Sequence, residues 1–271
     1  MGAKVAHVRG IDLAYEDEGA GDSVVLLLHG FLFSRAMWRG QIEALRAEHR
    51  VVALDLRGHG RTTVVAEGAA TMEEMARDAA SLLDELGVER ATVCGLSMGG
   101  YVALAFYRLF RERTRALVLA DTRAEADTEE GLRAREEMRR VALDSGLREI
   151  ADTLTPKMLA PATLAGRPEQ VAFVREMILG TSRVGAAAAL RGMAARRNQT
   201  DLLPEIEVPA LVIVGSEDSI TPPSMSEAMA RAIPRATLEV IEGAGHASNI
   251  ERPEEFNRAL AEFLKDLKRH A

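Results

Sequence analysis

The 271-residue sequence predicts an α/β fold: a mostly parallel twisted sheet with helices on both faces and a helical segment inserted late in the sheet. Three observations carry this. Continuously apolar runs such as Val24-Val25-Leu26-Leu27-Leu28 recur without polar alternation, as in strands buried on both faces. Amphipathic stretches at helical spacing separate them. From about Ala124 through Leu203 no such run occurs, and Ala, Arg, Glu and Met recur at helical periods instead.

Taken in order, Lys4 to Val8 and Ile11 to Tyr15 alternate around a Gly10 turn and predict a β-hairpin. Glu18 to Asp22 is a loop. The run ending at Leu28 leads into His29-Gly30-Phe31. Ser34 is placed to cap a helix carrying Trp38, Ile42 and Leu45 on one face. Val51 to Leu54 is the next strand, followed by the turn-rich Asp55-Leu56-Arg57-Gly58-His59-Gly60-Arg61. Met72, Met75, Ala76, Ala79, Leu82, Leu83 and Leu86 mark one amphipathic helix ending at Gly87. Ala91 to Cys94 is a strand, Tyr101 to Phe110 a helix, and Ala116 to Ala120 a strand ending in Asp121.

About four short helices are expected in 124–203, one behind a capping box at Asp127-Thr128-Glu129-Glu130 and one opened by Pro168. Strands return at Ala210 to Val214 and Ala236 to Ile241. A helix opened by Pro222-Pro223 lies between them, and a closing helix starts at Pro253, with the charged last residues expected to fray.

Composition excludes several classes. A net charge of −7 and a pI near 5.5 argue against nucleic acid as a partner. A single cysteine, Cys94, rules out an intrachain disulfide and a cysteine-based metal site; at the end of a strand it is expected to be a small buried apolar residue. No apolar run approaches the roughly 18 residues of a membrane span, and the first residues lack an apolar leader. A cytoplasmic protein is therefore the expectation. The 47% apolar content supports a core, and the 4% aromatic content makes it aliphatic.

The chemistry centres on Gly95-Leu96-Ser97-Met98-Gly99-Gly100, a strand, sharp turn and helix with serine at the apex. A serine hydroxyl is a weak nucleophile and needs a base, which in turn needs an orienting anion. His246, in Gly243-Ala244-Gly245-His246, and Asp218, in Gly215-Ser216-Glu217-Asp218, follow later strands. The ends of parallel strands share one edge, so these loops converge. Glu217 and Asp121 are competing acids. His29 and His59, in Gly-flanked turns, are expected to stabilise those turns; His7 and His270 read as surface residues. Backbone amides of Met98 and Phe31 are placed to hold an oxyanion. The Phe31 and Met98 side chains, together with Trp38, are candidates to line the substrate pocket.

These motifs, with His29-Gly30-Phe31 and Asp55-Leu56-Arg57-Gly58-His59-Gly60, resemble the α/β-hydrolase superfamily over nearly the whole chain. The resemblance implies a mostly parallel eight-stranded sheet, with a helical cap (124–203) inserted after strand six of a core formed by 1–123 and 204–271. It carries nucleophile, acid and base onto Ser97, Asp218 and His246, and the oxyanion donors onto Phe31 and Met98. The elbow is similar to those of carboxylesterases, enol-lactonases and cofactor-free perhydrolases. A small ester is the expected substrate, with a lactone, peroxide transfer or a catalytically silent ligand-binding module as alternatives. No metal or cofactor is required. Monomer and homodimer both remain open. In the cap, Met138, Met158, Met177 and Met193 are expected to pack between helices, the alternative being that they line an adaptable apolar pocket. Arg183, Arg191, Arg196 and Arg197 are expected on solvated faces, the alternative being an arginine that faces a substrate carboxylate.

Overall fold

The computed structural model describes residues 2–64 and 70–269. Its strands are β1 (Lys4–Val8), β2 (Ile11–Glu18), β3 (Val24–Leu28), β4 (Arg50–Leu54), β5 (Ala91–Leu96), β6 (Thr114–Ala120), β7 (Ala210–Gly215) and β8 (Ala236–Ile241). They form one eight-stranded sheet in the order β1-β2-β4-β3-β5-β6-β7-β8. The first two pairings, β1 with β2 and β2 with β4, are antiparallel, and all others are parallel. All residues of β3, β5 and β7 are buried, as their unbroken apolar runs require. β2 runs on to Glu18 and pairs there with Val51, three residues beyond the expected Tyr15.

The helices before the insert are α1 (Arg39–Leu45), α2 (Met72–Glu85) and α3 (Met98–Leu109). Thr71 caps α2 by accepting from the Glu74 amide at 3.2 Å. Ser34 does cap, but what it caps is a 3-10 turn, Arg35–Trp38, that precedes α1. Trp38 ends this turn at the N-cap of α1 and is buried in the same core as Ile42 and Leu45.

Between β6 and β7 lie five helices, one more than expected: α4 (Glu129–Asp144), α5 (Arg148–Met158), α6 (Pro161–Gly166), α7 (Pro168–Gly180) and α8 (Arg183–Ala194). α9 (Pro223–Ala232), α10 (Ser248–Glu251) and α11 (Pro253–Arg269) complete the chain. α11 runs through its charged end to Arg269, and the last two residues, part of the stretch expected to fray, lie outside the described residues. Its inner face, Phe256, Leu260 and Leu264, joins the core.

The expected capping box is corrected. Thr128, not Asp127, caps α4 by accepting from the Gly131 amide at 3.2 Å. Asp127 is drawn off by arginines described below, a stronger pull than one capping bond.

The inserted helices touch loops at the carboxyl edge of the sheet. Thr181 donates its hydroxyl to the Leu32 carbonyl at 3.2 Å, and the Ala247 amide donates to the Met158 carbonyl at 2.9 Å. A Cβ on Gly185 of α8 would stand 1.9 Å from the Gly58 carbonyl oxygen, so helix and loop meet backbone to backbone. Among the described residues, no helix is long and apolar enough to cross a membrane.

The tightest approach is at the β5–α3 turn. A Cβ on Gly95 would fall 2.1 Å from the Gly99 oxygen, and one on Gly99 2.1 Å from the Leu28 oxygen. Gly99→Ala is expected to destabilise the protein by about 1–3 kcal/mol in urea unfolding. Gly180→Ala, where a Cβ meets nothing within 4 Å, is expected to leave stability unchanged or slightly raised.

Candidate active site

Ser97 stands between β5 and α3 with φ 55° and ψ −114°, a conformation unfavourable for a residue with a Cβ. Two bonds hold it there. Its amide donates to the Ala120 carbonyl at 2.9 Å, and Thr122 donates its hydroxyl to the Ser97 carbonyl at 2.8 Å. Ser97 is half-buried at the start of α3.

The three residues singled out from separate loops meet here. Ser97 Oγ lies 2.8 Å from His246 Nε2, and His246 Nδ1 lies 2.8 Å from Asp218 Oδ2. The Asp218 carboxylate also accepts from the Thr221 hydroxyl at 2.6 Å and from the amides of Ile220 and Thr221 at 2.8 and 2.9 Å. Glu217 is exposed and takes no part.

Asp121, the other competing acid, is fully buried, but its carboxyl serves the Gly215 amide at 2.9 Å and the Ser248 hydroxyl. Burial, reinforced by the Asp218 charge, pushes its pKa up to about 8. At neutral pH Asp121 thus keeps its proton, and Asp218 is the anion. Burial raises Asp218 as well, but the charge and hydrogen bond of His246 outweigh it and hold the carboxyl low. For His246, burial works against the charged ring, the Asp218 carboxylate outweighs it, and the pKa is raised above 6.5.

The oxyanion candidates flank Ser97. The Met98 amide opens α3, where an N–H has no partner within the helix. Phe31 lies in a turn closed by Phe33 N donating to Gly30 O at 3.2 Å, with Leu32 at φ 60°. His29 ties this turn to the β4 loop. Its Nε2 accepts from the Leu56 amide at 2.9 Å, so Nδ1 carries the proton donated to Gly30 O at 2.8 Å. Burial pushes His29 down to about 4 and His59 to about 3, so both are neutral loop supports, as expected. His7 is a surface residue beside Asp12, and His270 lies outside the described residues. Cys94 is buried, and burial pushes its thiol pKa up.

Phe31 and Met98 are buried beside the elbow. Trp38 is a correction to the expected pocket lining. It is fully buried against Phe256 of α11, ring centroids 6.1 Å apart, because the closing helix packs over it. Met158 and Met193 belong to the core, with Met138 and Met177 packed against it.

Of the four arginines, Arg183, Arg191 and Arg197 are exposed, but Arg196 is buried, against expectation. It donates to Asp127 Oδ2 at 2.7 Å and to the Glu125 carbonyl at 2.8 Å, and lies 4.3 Å over the Tyr101 ring. Arg135 and Arg123 also pair with Asp127. Thr122, Thr221 and Glu251 escaped notice in the sequence because each acts through partners that only the tertiary structure brings to it. Among the described residues no cluster of His, Cys, Asp and Glu could hold a metal ion.

Residues 23–253 match the family model for the alpha/beta hydrolase fold, and the chain belongs to that family. It is 42% identical to a thermophilic esterase from Thermogutta terrifontis, solved with malate bound, with a TM-score of 0.94 over 98% of this chain and 99% of that one. It is 30% identical to the enol-lactonase from Burkholderia xenovorans LB400, with a TM-score of 0.89 over 97% and 100%. It is also 30% identical to 3-oxoadipate enol-lactonase 2 of Acinetobacter baylyi, over 94% of each chain.

Burial raises the Asp127 pKa, but the hydrogen bonds and charges of Arg196 and Arg135 overcome this and hold it well below 3.8. A depressed carboxylate stabilises above its unfolded value, and that contribution is lost as pH falls through the native one. Asp127→Asn is expected to cost about 2–3 kcal/mol at neutral pH. It is also expected to flatten the loss of stability below about pH 4, read from urea midpoints across pH.

Proposed function

We propose that this chain is a serine hydrolase of small carboxylic esters, working through an acyl-enzyme on Ser97. The observation that carries the proposal is the unbroken chain Asp218–His246–Ser97, with both links at 2.8 Å, ending on a strained serine at a helix start. The esterase and enol-lactonase relatives support ester-type substrates.

In this mechanism Ser97 Oγ attacks the ester carbonyl while His246 Nε2 takes its proton. Asp218 accepts from Nδ1–H, fixing the tautomer and balancing the imidazolium charge. The Phe31 and Met98 amides receive the negative charge on the former carbonyl oxygen. Collapse expels the alcohol, which takes the proton from His246. Water then attacks the acyl group, giving its proton to His246, and the departing Ser97 oxygen recovers it. No metal or cofactor takes part. Residues 124–203 act as a cap that shapes the pocket. A lactone is the second reading, favoured by the two enol-lactonase relatives; a ring ester places the leaving alcohol on the same molecule, and the same steps open it.

Ser97→Ala is expected to lower turnover of a short p-nitrophenyl ester at least about 10³-fold while leaving the circular dichroism spectrum unchanged. A fluorophosphonate probe should label wild type at Ser97, and an unlabelled protein would falsify the assignment. A panel of p-nitrophenyl esters of rising chain length, run beside simple lactones, separates the two readings. The base must be neutral to accept a proton, so kcat/KM should rise with pH through a midpoint above 6.5. A midpoint below that value counts against His246 as the base.

A further inference from the structure

The loop that carries His246 is bonded to the inserted helices through one buried carboxylate. Glu251 is fully buried. Its Oε1 accepts from the Gly245 amide at 2.7 Å, one residue before His246. Its Oε2 accepts from the Ala160 amide at 2.8 Å, just ahead of α6. The Ala247 amide, on the other side of His246, donates to the Met158 carbonyl at 2.9 Å. The imidazole is therefore flanked by two amides, and each is tied to the segment joining α5 and α6.

Taking a carboxylate out of water is costly, and two charge-assisted bonds from amides offset that cost only while both donors stay in place. Moving the α5–α6 segment outward would strand Oε2 or pull Gly245 with it. Moving Gly245 shifts the backbone of His246, whose Nε2 must stay within hydrogen-bond reach of Ser97. A packed apolar side chain at 251 could fill the same space, but it could not join these two amides.

We propose that Glu251 is a positioning residue for His246, coupling the placement of the base to the seating of the α5–α6 segment above it. The inference rests on the assignment of His246 as the base. The charge contributes as well as the geometry. Asp218 from the loop after β7 and Glu251 from α10 favour the protonated imidazole against the effect of burial, while Asp121 at the end of β6, which also faces the ring, keeps its own proton at neutral pH. Glu251 itself faces Arg252 beside it, and Arg167 of the cap donates to its backbone carbonyl at 2.8 Å.

Glu251→Gln and Glu251→Asp separate the two contributions. Glutamine keeps the length but loses the charge and turns an NH2 group towards one of the amides. Aspartate keeps the charge but is too short to reach both. With p-nitrophenyl acetate, kcat should fall about tenfold or more in each, since small misplacements of a catalytic group carry penalties of that size. The acid limb of the kcat/KM profile should move to lower pH in Glu251→Gln and stay in place in Glu251→Asp. Wild-type kcat, or an unmoved acid limb in Glu251→Gln, overturns the proposal.

Should the glutamine variant fail to fold, amide exchange on wild type decides. The Gly245 and Ala160 amides should both be strongly protected, and more so once a phosphonate occupies Ser97. Rapid exchange at either, or protection that the phosphonate leaves unchanged, also overturns it. A wild-type protein that fluorophosphonate does not label at Ser97 sinks the hydrolase reading itself. Labelled wild type beside an unmoved limb sinks only the role of Glu251.

Discussion

The backbone of the β5–α3 turn is packed so closely that two of its residues have no room for a Cβ. The virtual Cβ of Gly95 meets the Gly99 carbonyl, and that of Gly99 meets Leu28, both at 2.1 Å. This contact joins β5, α3 and the end of β3 at one point. It also places Ser97 at φ 55°, which the surrounding structure must hold in place. The bonds to Ala120 and from Thr122 do so from β6 and the residues just after it. The strained serine is affordable because the strands around it are buried and cannot relax individually.

Electrostatics around the imidazole follow from burial. Three carboxyl groups lie near His246, but they are not equivalent. Asp218 receives the ring, a threonine hydroxyl and two amides, so it carries the negative charge. Asp121 has fewer donors and feels the Asp218 charge, so it is pushed up to about 8 and stays protonated at neutral pH. Two neighbouring like charges in a water-poor site would cost more than one proton bound there. Glu251 accepts an amide on each oxygen and serves as a link between backbone segments.

The inserted helices are seated by contacts of a different kind. α8 meets the Gly58 loop backbone to backbone, and Arg196 gathers Asp127, Glu125 and the Tyr101 ring. Asp127 stands near the start of the insert and Arg196 near its end, so one ion pair closes the base of the segment over the elbow helix. The Asp127 side chain, which might have capped α4, is drawn into this closure, and Thr128 takes over the cap.

Much was legible in the chain itself. Apolar runs fully buried on both faces announce interior strands, since alternation is lost when both faces are covered. Gly95-Leu96-Ser97-Met98-Gly99, Asp218 and His246 were readable because the required turn chemistry leaves few residue choices. Trp38, Arg196 and Asp127 were misplaced for one reason. Helical spacing tells which residues share a face, but not which distant element will cover that face or which distant charge will compete for a cap. By itself the sequence determined the strands, the elbow and the residue types able to do acyl chemistry, because these depend on local sterics and periodicity. Only the tertiary structure decided which carboxyl keeps its charge, and that Glu251 joins the histidine loop to the helices above it. Both depend on burial and on partners brought together from distant parts of the chain, up to 94 residues apart for Asp121 and Gly215 and 91 for Ala160 and Glu251.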